Sequence, residues 1–109
     1  MYAGYKVVSG AVGTAVVAGL DYTSNKYTIV IECDSSDGQV YTVKHKVVGG
    51  SRWVSTSGNS GIVSDTATPL TISGAEEIQV VAQVNAGTEE TPDWEAGDEP
   101  FNVVVIMEK

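Results

Sequence analysis

Cysteine is almost absent from this sequence, and its scarcity excludes two classes of small domain. Cys33 is the one cysteine among 109 residues, so no internal disulfide can form. Zinc needs three or four ligands, and Cys33 with the one histidine, His45, supplies at most two. A chain of this length buries enough surface to fold without a disulfide or a metal ion. We expect a single domain over residues 1–109 that folds in a reducing cytoplasm with no metal and no other cofactor.

Basic residues are also scarce, which argues against two kinds of partner. Six Lys and Arg against fourteen Asp and Glu give a formal net charge of −8. Nucleic acids and anionic membranes attract clustered positive charge, and no such cluster is present. We therefore expect neither as a partner. The acidity favours solubility first and docking onto a basic protein surface second.

Long hydrophobic runs are missing as well. Residues 1–24 are rich in apolar side chains, but these alternate with small polar ones and are interrupted by glycines at positions 10, 13 and 19. Such a segment is too short for a membrane span and is a poor secretory signal. We expect no signal peptide.

Helical periodicity is absent, whereas β-branched residues with a period of two recur along the chain. The predicted strands cover residues 5–9, 11–18, 27–33, 70–73, 78–84 and 101–107, together with a hairpin over 39–57. Short strands separated by turns every eight to twelve residues are typical of an all-β fold. We predict a two-sheet antiparallel β-sandwich of the immunoglobulin-like kind, with a small barrel as the alternative.

The hairpin turns at Gly49 and Gly50, since paired glycines accept positive φ without steric cost. We predict a loop with an odd number of residues and a left-handed glycine, which would place Trp53 opposite Val47 in the core. The predicted core face of the first strand carries Tyr41, Val43, His45 and Val47. Together with the strand at 27–33, the hairpin would form a three-stranded meander over Tyr27–Val54.

The last predicted strand, 101–107, is apolar on both faces, with Phe101, Val103, Val105 and Met107 on one and Val104 and Ile106 on the other. A strand of this kind is central in its sheet or covered on its second face.

Catalytic residues are not evident. His45 could be combined with Ser60, but the sequence around Ser60, Gly58-Asn59-Ser60-Gly61, lacks the Gly-x-Ser-x-Gly spacing of a nucleophile elbow. His45 lies in the middle of a predicted strand, which favours a packing role, and Cys33 is in phase with Ile29 and Ile31 as a small buried hydrophobe would be. We expect no enzyme activity.

The segment 88–100 carries six carboxylates between Glu89 and Glu99. Calcium binds such oxygens, and Asp93, Glu95 and Asp98 are the candidate ligands. The regular spacing of a calcium loop is missing, so a solvated charged loop is favoured over a metal site. Trp94, in the middle of these acids, is either a contact anchor or a lid over the end of the sandwich.

Aromatic side chains offer one more functional hypothesis. Tyr22, Tyr27, Tyr41 and Trp53 could form a platform on which sugars stack. The strand parity places Tyr27, Tyr41 and Trp53 on core faces, so a core role is the simpler interpretation. A carbohydrate-binding or adhesion module stays as the alternative function.

The order of these segments resembles a known group of proteins. A strand ending in a Gly-Gly turn and a Trp (VYTVKHKVVGGSRWV), a corner (LTISGAEE), an alternating strand (IQVVAQVNAG) and an apolar last strand (FNVVVIMEK) are similar to small β-sandwich proteins of tailed bacteriophage particles, including head decoration proteins. The likeness covers residues 27–109. The acidic segment before the last strand departs from it, because a tight turn would be expected there.

The resemblance implies a non-enzymatic virion protein, made in the bacterial cytoplasm, that docks on an assembled shell and stabilises it. Its partner would be the major capsid protein or another virion protein, with self-association as a further option. Docking would use the N-terminal stretch 1–10 or the exposed face of the last strand, because a sheet edge can pair with a partner strand. The candidate contact residues are Tyr2, Tyr5, Trp94, Val104 and Ile106.

Overall fold

A computed structural model describes residues 2–34, 38–56 and 61–109 of the chain. These residues form ten β-strands, and the described part contains no helix. The strands are β1 (Tyr2–Ala11), β2 (Thr14–Val17), β3 (Lys26–Glu32), β4 (Val40–Val47), β5 (Val54–Ser55), β6 (Ile62–Val63), β7 (Thr68–Leu70), β8 (Ala75–Asn85), β9 (Trp94–Ala96) and β10 (Phe101–Glu108).

The strands form two antiparallel sheets that pack face to face and do not close into a barrel. The first sheet has the order β1-β10-β3-β7. The second has the order β2-β8-β4-β5, with β6 paired to β4 and β9 paired to β8. The predicted all-β sandwich is confirmed.

The core lies between the sheets and is built from one side of each long strand. On β10 the alternation is complete, since Phe101, Val103, Val105 and Met107 are buried while the residues between them are half-buried. β10 lies between β1 and β3, as its two apolar faces predict. The parity predicted for the strands at 27–33 and 78–84 is confirmed as well, with Tyr27, Ile29, Ile31, Ile78, Val80 and Ala82 all buried.

The predicted three-stranded meander is wrong. β3 belongs to the first sheet and β4 to the second, so the chain crosses the sandwich between them rather than turning back in one sheet. β4 pairs instead with β8, along its whole length from Val40 to Val47. The turn chemistry of residues 34–38 signals a reversal of the chain, but it does not say which sheet the next strand joins.

The predicted register of the hairpin is also wrong. β4 and β5 pair Lys44 with Ser55 and His45 with Val54, which is one residue away from the register that would set Trp53 opposite Val47. The turn is centred on Val48 and Gly49, where the Gly50 N–H donates to the Val47 carbonyl at 2.9 Å. The predicted left-handed glycine is present, at Gly49 with φ of 78°.

That register moves two side chains away from the predicted core. Val47 is 39% exposed, and Trp53 is half-buried beside Lys46, whose ammonium lies 4.7 Å from the centre of the indole ring. A change of one residue in register exchanges the two faces of a strand. Trp53 therefore packs on the lysine side of β4 and not with Tyr41.

The N-terminal stretch forms two strands in different sheets, β1 in the first and β2 in the second. The break falls at Val12 and Gly13 rather than at Gly10. Gly10, with φ of 68°, instead marks an irregularity in the pairing of β1 with β10 between Val8 and Ala11. The predicted strand at 70–73 lies earlier in the chain, at Thr68–Leu70.

Candidate interaction surface

The side of the first sheet that faces away from the core is apolar, and we call it the outer face. Residues paired across neighbouring strands lie on the same face of a sheet. On β1 and β10, Tyr5 pairs with Ile106 and Val7 pairs with Val104. On β10 and β3, Val104 pairs with Val30. The register thus brings five apolar side chains from three strands into one stripe.

The outer face is partly open to solvent. Tyr5 is 60% exposed and Val7 is 48% exposed, while Val30, Val104 and Ile106 are half-buried by one another. Contiguous apolar surface with a polar border is typical of interaction sites, whereas single exposed hydrophobic residues are common on any protein. The border at one end is an ion pair between Lys26 and Glu108, with 3.9 Å between the Lys Nζ and the carboxylate oxygen.

At the other end of the outer face the border is acidic. A cavity of about 220 Å³ lies where β3 ends and β10 begins, lined by Glu32, Asp34, Pro100, Phe101 and Asn102. Glu32 and Asn102 are register partners and face outward. The carbonyl of Pro100 accepts a hydrogen bond from the Cys33 thiol at 3.5 Å. We call this cavity the acidic notch.

Three of the five predicted contact residues, Tyr5, Val104 and Ile106, therefore lie together on the outer face. Tyr2 is in β1 opposite Glu108, and its side chain lies outside the described part of the structure. Trp94 is on β9 in the second sheet, where it pairs with Asn85 and is 52% exposed. This exposure favours the hypothesis that the Trp94 indole is a contact anchor over the hypothesis that it is a lid on the sandwich.

The acidic segment is held in place by hydrogen bonds to Asn85. The Asn85 side-chain oxygen accepts hydrogen bonds from the N–H groups of Gly87 and Asp93, both at 2.9 Å, and its amide donates to the Thr88 carbonyl at 3.2 Å. Within the described ranges, no three His, Cys, Asp or Glu side chains come close enough to hold a metal ion. Asp93, Glu95 and Asp98 do not converge.

His45 is a packing residue in the structure. Its ring Nδ1 lies 3.1 Å from the hydroxyl oxygen of Thr56, which is buried. Burial lowers the pKa of His45, so the neutral ring is favoured. Ser60, which was considered as a catalytic partner of His45 and not favoured, lies outside the described residues. Cys33 is half-buried against the core, which is less burial than its phase with Ile29 and Ile31 predicts.

The proposed sugar platform is not assembled from its four aromatic residues. Tyr27 and Tyr41 are fully buried, and burial raises the pKa of Tyr41 to about 12. Trp53 packs with Lys46, and Tyr22 is 53% exposed in the turn before β3. Among the side chains that the structure describes, the exposed rings are Tyr5, Tyr22 and Trp94, and Trp94 lies on the other sheet from Tyr5.

Val7, Val30 and the acidic notch were not predicted as candidate contacts from the sequence. Period-two alternation was visible around both valines, but it does not say which strands are neighbours, so the stripe could not be assembled from it. Glu32 and Asp34 are far from Asn102 in sequence and meet it only because β3 pairs with β10.

The similarity of this chain to known proteins extends to its fold and not to its sequence. No protein-family model matches the sequence, and no curated protein is significantly similar to it. In the described part of the chain, no helix is of the length and apolarity needed to cross a membrane.

Two solved structures share the fold at low sequence identity. The SPBc2 prophage-derived protein YomS has a TM-score of 0.56 at 12% identity, over 94% of this chain and 93% of that one. A chain described as an alpha-L-fucosidase of Bacteroides thetaiotaomicron has a TM-score of 0.56 at 16% identity, over 95% of this chain. The chain spans 22% of the length of the second protein and nearly all of the first. This chain is thus an antiparallel β-sandwich of a fold also found in a prophage-derived protein.

Proposed function

We propose that this chain is a non-enzymatic structural protein of a bacteriophage particle, and more narrowly a decoration protein that docks on the assembled head and stabilises it. The observation that carries the proposal is that the same fold makes up nearly the whole of a prophage-derived protein, over 93% of its length. The order of strands and turns in the sequence, which resembles head decoration proteins, supports the same proposal.

Two further features agree with a docking role. The outer face is an apolar stripe with a polar border, which is the composition of a protein contact. A small protein bound in many copies on a repeating shell can use weak individual contacts, because the shell presents many sites at once.

The proposal is tested on particles of the phage or prophage that encodes the chain. Particles are purified on a density gradient, heads and tails are separated, and the chain is quantified in each fraction by mass spectrometry. We expect the chain to band with heads in a fixed ratio to the major capsid protein. Recovery of the chain only in the soluble fraction would contradict a role in the particle, and recovery with tails would contradict the decoration role alone.

A carbohydrate-binding module is the second candidate. It is favoured by the fold match with part of a chain described as a fucosidase and by the exposed rings of Tyr5, Tyr22 and Trp94. A glycan array with the purified chain tests it, with Trp94→Ala as the variant that should lose binding. The proposal of a particle protein is preferred because the matched fold is nearly the whole of the prophage-derived protein but a fifth of the fucosidase.

A further inference from the structure

We propose that the outer face of the first sheet is the surface that seats the chain on the shell protein of the particle, with a Lys or Arg side chain of that protein entering the acidic notch. The inference rests on the proposed function and adds to it the docking face and the chemistry of the partner. The partner surface is therefore apolar at its centre and carries a positive charge at one side.

The outer face is a better docking element than the free edge of β1. An edge strand can pair with a partner strand, but natural edges are protected by bulges and by charged residues that point inward. β1 has both devices. Its pairing with β10 is irregular at each end, near Gly4 and Gly10, and Lys6 lies opposite the buried Val105 with its side chain reaching toward Gly19. The regular part of β1 is short, and its outward side chains belong to the outer face.

The acidic notch defines the charge of the partner. Glu32 and Asp34 line it from β3 and the residues after it, and both side chains are exposed. Within the described part of the chain, no ion pair joins either carboxylate to a Lys or Arg. Asn102 and Pro100 complete the lining, and the Asn102 side-chain oxygen already accepts from the Gly10 N–H at 2.9 Å. The two carboxylates are therefore the acceptors that a cation entering the notch would meet.

A second copy docked through the same outer face would not supply that cation. On the outer face, Lys26 is already paired with Glu108, and Lys6 points to the opposite side of the sheet. Two copies docked face to face would also bring together two chains of net charge −8. Charge complementarity therefore favours a different protein with a positive side chain at its contact.

The test uses particles from a phage that lacks the gene for this chain, mixed with purified chain at graded concentrations and then separated on a gradient. Val7→Glu places a charge on the apolar stripe. Val16→Glu is its matched control, because Val16 is a strand valine of similar exposure, 42% against 48%, on the outside of the second sheet. We expect Val7→Glu to weaken binding about tenfold or more, since an unpaired charge would be buried at the contact, and Val16→Glu to bind as wild type.

The notch is tested by Glu32→Lys, with Glu76→Lys, an exposed β8 residue of the second sheet, as its control. We expect Glu32→Lys to weaken binding about tenfold and to reduce the dependence of binding on salt, because a charged pair at the contact is replaced by like charges. Glu76→Lys should leave both unchanged. Circular dichroism melts show whether each variant is folded, and Tyr5→Ser replaces Val7→Glu if that chain does not fold.

The outcomes separate the docking face from the proposed function. If the wild type binds particles and the outer-face variants bind as well as it does, the docking face is wrong while the role in the particle stands. If the wild type does not bind, both are wrong. Equal loss in the second-sheet controls would also overturn the docking face. A wild-type dimer in sedimentation that dissociates on Val7→Glu would show a second copy as the occupant and overturn the proposed partner.

Discussion

Gln39 joins the acidic connection to the second sheet. Its side chain is buried, and its amide donates to the Tyr41 hydroxyl at 3.0 Å and to the Glu99 carbonyl at 3.3 Å. Its side-chain oxygen accepts from the Glu99 N–H at 3.3 Å. Gly97 packs directly on this amide, so that a Cβ at position 97 would overlap it. One polar side chain thus fixes the path of the chain between β9 and β10.

We predict that Gln39→Ala and Gly97→Ala each destabilise the fold and that their effects are not additive. Gln39→Ala leaves buried polar groups unpaired, which costs about 1–3 kcal/mol. Gly97→Ala forces an overlap with the amide, at a similar cost of about 1–3 kcal/mol. In the double variant the overlap is gone, so the loss should be well below the sum.

Urea denaturation of the four proteins gives the free energies of unfolding needed for this cycle. Gln79→Ala is the control, since the Gln79 side chain forms no hydrogen bond with the described residues and its loss should change the free energy by less than about 0.5 kcal/mol. Additive effects of the two substitutions would contradict the direct contact.

His45 makes stability depend on pH in a direction that the structure defines. Burial lowers its pKa in the folded chain below the value of 6.5 expected when it is unfolded. The unfolded chain therefore binds a proton more readily, and His45 destabilises the fold as the pH falls below 6.5 toward the folded pKa. Above pH 6.5 both states hold a neutral ring and the contribution is constant.

We expect His45→Gln to remove part of the loss of stability between pH 7.5 and pH 5. The measurement is the melting temperature of wild type and variant at both values, and the comparison is the difference between the two proteins, since the carboxylates titrate in both. An identical pH dependence would show that the ring titrates normally in the fold.

At the level of the strands, the sequence predicts which residues face the core better than it predicts which strands are neighbours. The alternation in β3, β8 and β10 follows from the burial of one face of each strand, and it was confirmed. Sheet membership depends on contacts between residues distant in sequence, such as Val30 with Val104, that no local pattern encodes. For this reason the meander was wrong, and the outer face was predicted only as separate residues.

The position of the hairpin turn is a second feature that the local sequence leaves open. Two adjacent glycines allow a turn at either of two positions, and the structure turns at Val48 and Gly49. The choice is reinforced by Lys46, whose ammonium contacts the Trp53 ring and lies 3.1 Å from the Glu77 carboxylate oxygen on β8. Lys46 therefore contacts the chain on both sides of β4, at Trp53 just before β5 and at Glu77 on β8.

We predict that Lys46→Ala lowers the free energy of unfolding by about 1 kcal/mol, because a cation–π contact and a half-buried ion pair are both lost. Lys44→Ala is the matched control, on the same face of β4 but exposed and without an ion pair to the described residues, and it should have an effect below about 0.5 kcal/mol. Urea denaturation at low and high salt separates the ion pair from the rest. Equal effects of the two substitutions would contradict the bracing role of Lys46.

Across the whole molecule, β10 contributes to two different surfaces through its two faces. Its inward residues form the centre of the core, and its outward residues form the middle of the outer face. If the outer face is a docking surface, stability and binding are separable along one strand, because neighbouring residues point to opposite sides.

Val105 and Val104 test this separation with the same substitution at adjacent positions. Val105 is fully buried, so Val105→Ala should destabilise the fold by about 2–3 kcal/mol through lost burial and a residual cavity. Val104 is half-buried on the outer face, so Val104→Ala should cost less than about 1 kcal/mol while weakening attachment to particles. Melting curves and particle binding are measured for both variants at a temperature where both are folded. We expect Val105→Ala to bind particles normally and Val104→Ala to bind them poorly. The reverse pattern would contradict the assignment of the two faces.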